Sequence, residues 1–242
     1  MCEHFIARAA KPFRLDDLWP FVERLERFGI AGFGWGAAWL ADDGGHGLGS
    51  YRDVRAFRDD PGRERVGATE TTSALIHLRR PTKLSTLSIE DTQPFDDPGG
   101  RFSFSHNGDL KDYKSLRPTF KAQGRIHGWA DTEVGARWLE DAWSGAAPGA
   151  HLLSKLHARF GGKANLALIS ADGETSHYAG NSENPVFTFR LGRIGIASTG
   201  IYSLDRSIFR FAATGATDRR LVPLGSTVTL DAAGLPSASG LI

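Results

Sequence analysis

Cysteine and methionine are nearly absent from this sequence: in 242 residues there is one of each, Cys2 and Met1. A single cysteine excludes an internal disulfide and a multi-cysteine zinc site. A charge excess of one sign is also lacking. Lys and Arg number 29 against 28 Asp and Glu, a formal net charge of +1, so nothing points to nucleic acid or an anionic membrane surface as partner. No apolar run approaches the length needed to span a bilayer. The opening residues Met1-Cys2-Glu3-His4-Phe5 lack a basic stretch followed by an apolar one, so no export signal is read there and the expected location is the cytoplasm. The eight histidines show no spacing of the His-Glu-x-x-His kind, and neither a metal nor an organic cofactor is expected.

What remains is an ordinary globular composition, 40% hydrophobic and 24% charged, with no repeat, low-complexity segment or linker. One domain over residues 1–242 is expected. Residues 5–10 read as a first strand. Leu15, Leu18, Trp19, Val22, Leu25 and Phe28 fall at helical spacing, giving an amphipathic helix over 15–28 with Pro20 in its first turns. Further strands are read at 34–40, 50–57 and 73–80, the last stopped by Pro81, with a glycine-rich turn at 44–49. Phe102 and Phe104 alternate with Ser103 and Ser105 in a strand that runs into His106-Asn107-Gly108. Helices follow near 110–122, 132–144 and 149–160, then strands near 164–170, 174–180, 185–191, 193–199 and 221–230. Strands, a block of helices and strands again imply an α+β fold of two sheets with helices packed outside.

Four elements carry chemistry. Removing Met1 would leave Cys2 with a free α-amine, whose reference pKa of about 7.7–8.0 lies well below the ~10.4 of lysine. Such an amine can take the thiol proton near neutral pH, so nucleophile and base share one residue. Cys2 alone fits equally an inert residue at a strand start. Asn107-Gly108 is a favoured hairpin pair, yet the sequence after it resembles a helix start. An Asn amide beside a Gly N–H is also a donor pair suited to an oxyanion. Arg79 shares a strand face with His77 and is either a solvated edge residue or a clamp for a carboxylate. Asp131 opens an amphipathic helix, as an N-cap or as a partner for a substrate ammonium.

In order and spacing these elements resemble the class II glutamine amidotransferases. That family begins with Cys after the initiator Met. It continues with His-x-Arg-x-x-Thr, matched by His77-Leu78-Arg79-Arg80-Pro81-Thr82, then His-Asn-Gly, matched by His106-Asn107-Gly108, and Asp-Thr-Glu, matched by Asp131-Thr132-Glu133. The resemblance spans residues 2–133 and implies a four-layer αββα sandwich of two mainly antiparallel sheets, the N-terminal-nucleophile hydrolase fold. It implies Cys2 as nucleophile and Asn107 with Gly108 as oxyanion hole. Arg79 would bind the substrate α-carboxylate with Thr82 nearby, and Asp131 the α-ammonium. The substrate would be L-glutamine or another γ-glutamyl small molecule, cleaved to glutamate and ammonia or an amine. An ammonia-accepting synthase would lie on another chain.

Two departures stand out. Asp91-Thr92-Gln93-Pro94 replaces the Asn-x-His-Pro of many members, which puts Gln93 where a histidine lies near the carboxylate end of the pocket. Gly32-Phe33-Gly34-Trp35-Gly36 replaces the longer Arg-Gly-x-Asp-Ser-Ala-Gly stretch of synthase-fused members and is similar to short, stand-alone bacterial ones. Two other readings stand beside this one: a non-catalytic glutamine-binding or regulatory subunit of a separate synthase, and an amidohydrolase of the same fold with a different amide substrate.

Overall fold

Side-chain alternation along the first strand, β1 (Glu3–Arg14), generates the layers. Phe5 and Ala7 join an apolar cluster on one side, while Ile6 joins another on the opposite side. The computed structural model describes residues 2–41, 47–82, 84–144, 149–200 and 206–238. Met1 and residues 44–46 of the glycine-rich turn read at 44–49 lie outside the described residues.

β1 lies at the centre of a seven-stranded sheet. Around it are β2 (Trp35–Leu40), β3 (Leu48–Asp53) and β4 (Glu70–Leu78). A second sheet holds β5 (Phe95–Asp96), β6 (Phe102–Gly108), β7 (Ala164–Ser170) and β8 (Thr175–Tyr178). β9 (Val186–Leu191), β10 (Ile194–Thr199) and β11 (Thr217–Leu221) return to the first sheet, and β12 (Thr227–Leu230) and β13 (Pro236–Ala238) complete the second. The strand orders are β11-β9-β10-β1-β4-β2-β3 and β13-β12-β8-β7-β6-β5. Every described pairing is antiparallel.

The helices are α1 (Trp19–Gly29), α2 (Gly62–Gly67), α3 (Arg117–Ala122), α4 (Asp131–Ala142), α5 (Gly149–Phe160) and α6 (Arg206–Ala212). Phe21, Val22 and Leu25 of α1 pack on Phe5, Ile76 and Ile196 of the first sheet. Val134 and Leu139 of α4 and Leu152, Leu156 and Phe160 of α5 pack on Phe104, Leu166 and Leu168 of the second. Between the sheets lie Ile6, Leu75, Ala167, Ile169, Ala197 and Val228. The order of layers is therefore helix, sheet, sheet, helix, as the sequence implied. Among the described residues no helix is long and apolar enough to cross a membrane.

Several boundaries differ from the sequence reading. The first strand spans 12 residues rather than 5–10. The helix expected over 15–28 starts as one 3-10 turn, Leu15–Leu18, before α1, whose first turn holds Pro20 where no N–H is needed. The segment 110–122 is not one helix. A turn at Tyr113–Ser115 precedes α3, and Pro118, with no N–H to give, fits only in the first turn of the later helix. The strand read at 50–57 ends at Asp53, and the 3-10 turn Phe57–Asp59 and α2 follow. The strand read at 221–230 is not continuous: Leu221 ends β11 in the first sheet, and β12 begins only at Thr227 in the second. The chain turns between them, with Ser226 N–H donating to Pro223 O (3.1 Å) and Gly225 N–H to Ala179 O (2.7 Å). The break falls at Pro223 and Gly225, turn formers that precede the alternation carried by Val228 and Leu230.

Candidate active site

Strand register brings the separate motifs together. Cys2 immediately precedes β1, and the antiparallel pair Glu3↔Leu78 sets the end of β4 beside it. Arg79 and Arg80 therefore leave the sheet next to the thiol. The Arg80 N–H donates to Cys2 Sγ at 3.3 Å, and the thiol lies 3.6 Å from Arg80 O. Burial pushes the Cys2 thiol pKa up, while the Arg80 N–H and the Arg79 charge pull it down.

The second sheet supplies the opposite wall. β6 ends at Asn107 and Gly108, paired to Asn165 and Ala164 of β7. Asn107 is fully buried, its Nδ2 donates to the Cys2 carbonyl, and its Oδ1 accepts from Asn165 Nδ2 at 3.3 Å. Gly108 has φ +122, and a Cβ there would lie 1.7 Å from Lys163 O. Only glycine fits that crossing.

Asp131 is the first residue of α4 rather than its N-cap, which is Ala130. Its Oδ1 still accepts the Thr132 N–H (2.9 Å), while Oδ2 takes the Leu110 N–H (2.7 Å) and ties the chain after Gly108 to the helix. A carboxylate at a helix start also meets the positive end of the helix dipole.

Arg79 is 5% exposed. Its Nη1 donates to Ser88 O (3.2 Å) and Thr92 Oγ1 (3.4 Å), and its Nη2 to Thr86 O and to Thr86 Oγ1 (3.1 Å). The guanidinium thus holds the 86–92 segment as well as facing the cavity, and burial lowers its pKa. Thr82 is exposed at the rim.

Cys2, Arg79, Thr82, Gly108 and Asp131 all border one cavity of ≈ 660 Å³. Asn107 does not line it and sits behind Cys2. Among the described residues no group of three or more His, Cys, Asp or Glu side chains is placed to hold a metal ion.

No protein-family model matches the sequence, and neither does any curated protein. Solved structures do match. Glutamine phosphoribosylpyrophosphate amidotransferase from B. subtilis, complexed with ADP and GMP, superposes with TM-score 0.74 at 18% identity, covering 98% of this chain and 49% of that one. A structure described as the allosteric regulatory enzyme of purine biosynthesis gives TM-score 0.72 at 17% identity, with 95% and 47% covered. A glutamine aminotransferase class-II domain protein from Silicibacter pomeroyi gives 0.60 at 19%, with 98% and 99% covered. The chain shares their fold. It spans about half the length of the first two and nearly all of the third. The sandwich implied by the sequence resemblance is the architecture these structures have.

Asp91, Tyr113 and Trp129 of the cavity carried no signal of their own in the sequence, whereas Gln93 stood out there as the replacement for a family histidine. Gln93 lines the cavity with its amide fully engaged: Oε1 accepts the His106 N–H (2.6 Å) and Nε2 donates to Thr132 Oγ1 (3.2 Å). His106 Nδ1 also meets Thr132 Oγ1 at 3.0 Å, and burial lowers its pKa against the pull of Asp131. Asp91, 1% exposed, accepts the N–H groups of Trp129 (2.5 Å) and Ala130 (2.7 Å) through Oδ1. Tyr113 and Trp129 complete the outer wall. An aspartate four residues ahead of Phe95 reads as a loop residue in sequence, since its partners lie 38 and 39 positions away.

Proposed function

We propose that residues 1–242 form one amidohydrolase domain of the class II glutamine amidotransferase type, which cleaves the side-chain amide of glutamine or a γ-glutamyl relative through Cys2. The observation that carries this reading is the convergence of Cys2, Arg79, Gly108 and Asp131, from four distant stretches of chain, on one cavity. The fold shared with amidotransferase structures supports it.

In this reading Met1 is removed and the freed Cys2 α-amine accepts the thiol proton. Sulfur attacks the γ-carbonyl carbon, and negative charge gathers on its oxygen. The Gly108 N–H stabilises that charge from the cavity wall, while the buried Asn107 amide, donating to the Cys2 carbonyl, fixes the attacking residue against it. The C–N bond breaks as the α-ammonium returns its proton to nitrogen, releasing ammonia or an amine. Water then gives a proton to the α-amine and adds to the thioester. The C–S bond breaks, glutamate leaves and the thiol is restored. Arg79 pairs with the substrate carboxylate and Asp131 with its ammonium, while the Leu110 and Thr132 N–H groups hold the Asp131 carboxylate in place.

The test is direct. Intact mass of the purified protein is expected to lack Met1, glutamate and ammonia are expected from glutamine or a γ-glutamyl amide, and Cys2→Ala is expected to abolish both. Undiminished hydrolysis by Cys2→Ala, or by protein that retains Met1, overturns the assignment. Glutamine binding without turnover would instead make the chain a binding subunit.

A further inference from the structure

Trp129 is 70% exposed although it lines the cavity that holds Cys2. Exposed tryptophans are usually incidental when their backbone is loose. This one is held firmly. Buried Asp91 accepts the Trp129 and Ala130 N–H groups at 2.5 and 2.7 Å. Arg117 of α3 donates to the carbonyls of Trp129 and Ala130, each at 3.3 Å, and to that of Gly128. The Arg117 guanidinium also stands 5.6 Å from the indole centroid, on one face of the ring. The peptide is fixed, one ring face is backed by a cation, and the remaining surface is bare at the cavity mouth. Tyr113 stands on the same wall.

Size points the same way. A cavity of ≈ 660 Å³ falls within the roughly 300–1,000 Å³ of pockets that enclose whole drug-sized molecules. Glutamine, with about ten non-hydrogen atoms, leaves most of such a pocket to water.

We propose that the site is built for a γ-glutamyl amide whose departing nitrogen carries a planar aromatic group, stacked on the free face of Trp129. This rests on the reading above. With Arg79 and Asp131 holding the two charged ends of the glutamyl unit, the amide nitrogen is the one position left to carry a further group. Trp129 is then a specificity-determining residue: a ring stacked on it gains both buried area and stacking energy. Arg117 and Asp91 position it.

The experiment compares L-γ-glutamyl-p-nitroanilide with L-glutamine as substrates of the mature protein and of Trp129→Ala and Trp129→Phe. The kcat/KM ratio of anilide to glutamine is expected to exceed one in the parent, to fall roughly tenfold in Trp129→Ala and to be largely kept in Trp129→Phe. A general loss of structure lowers both rates and leaves the ratio unmoved, so an unchanged ratio overturns the proposal. Binding of both compounds is measured in parallel on Cys2→Ala and Cys2→Ala/Trp129→Ala by calorimetry. If the parent cleaves neither compound but the anilide binds in a Trp129-dependent way, the hydrolase reading fails and the aromatic subsite stands. Anilide binding that is absent, or equal with and without Trp129, overturns the subsite whatever the fate of the hydrolase reading.

Discussion

At Gly108, backbone conformation and steric room make the same demand. Its φ of +122 strains any residue with a Cβ, and the atom itself would press on Lys163 O at 1.7 Å. The strand cannot move away freely, because the next N–H, that of Asp109, donates to the same carbonyl at 3.0 Å. Gly108→Ala must therefore rotate the peptide that faces Cys2. Its expected effect is a kcat loss on the order of 10²-fold or more, the cost of one misplaced oxyanion donor, measured beside a thermal melt that shows the variant still folds. A variant with parental kcat would remove Gly108 from the proposed oxyanion hole. Asn107 needs a different expectation. Its amide braces the Cys2 carbonyl from behind the cavity, so its replacement displaces Cys2 rather than removing a donor from the cavity wall.

The same close approach recurs between elements where β2 passes under the segment that carries Gln93. A Cβ on Gly36 would lie 2.2 Å from Gln93 O and 2.8 Å from Pro94 Cδ. That contact lets Gln93 reach His106 N–H and Thr132, linking β6 to the start of α4. Gly36→Ala is expected to cost about 1–3 kcal/mol in urea denaturation, as overpacking does, and to lower kcat/KM though Gly36 touches no substrate. Unchanged stability and activity would show that the 93–94 segment yields without consequence. The Gly-Trp-Gly stretch was visible in the sequence, but its reason was not, because the atom that forbids a side chain belongs to a residue 57 positions on. Legibility followed that divide throughout. Period-2 and period-3.6 patterns reported one-sided burial, so α5, β7 and β9 emerged near their true bounds. Cys2, Arg79, Gly108 and Asp131 were legible because each sits in a short motif. Gln93 was legible only as a departure from a family motif, and Asp91 and Trp129 were not legible, since their roles depend on pairings across the fold. α2 was missed because six residues are too few to show a period.

Across the whole molecule, the two sheets meet on a polar patch that begins two residues after Cys2, at His4. His4 of β1 and His77 of β4 are register partners in one sheet, while His106 of β6 and His177 of β8 come from the other. All four are buried. The His4 ring lies 4.6 Å from that of His177 and 6.4 Å from that of His77, and its Nδ1 meets Ser105 Oγ at 2.7 Å. Both ring nitrogens of His77 lack a hydrogen-bond partner. Burial, with the nearby charge of Arg79 and the ring of His106, brings His77 from 6.5 to about 3, and burial does the same for His177. Both pKa values are depressed in the folded state, so between pH 6.5 and about 3 the unfolded chain binds protons that the folded chain refuses. Stability is therefore full above pH 6.5 and falls as pH drops through that window, by on the order of 2 kcal/mol per histidine near pH 5. Carboxylates with lowered pKa, such as Asp97 beside Arg101, lose their contribution only at lower pH, so the onset near pH 6.5 belongs to the histidines. His77→Leu removes one such group and leaves no unmet polar atom at its place. Its unfolding free energy, followed by urea titration from pH 7.5 to about 5, is expected to decline less steeply than the parent's by about that single-histidine amount. Parallel slopes for the two proteins would mean that protons enter the inter-sheet layer without unfolding it, and that the acid sensitivity lies elsewhere.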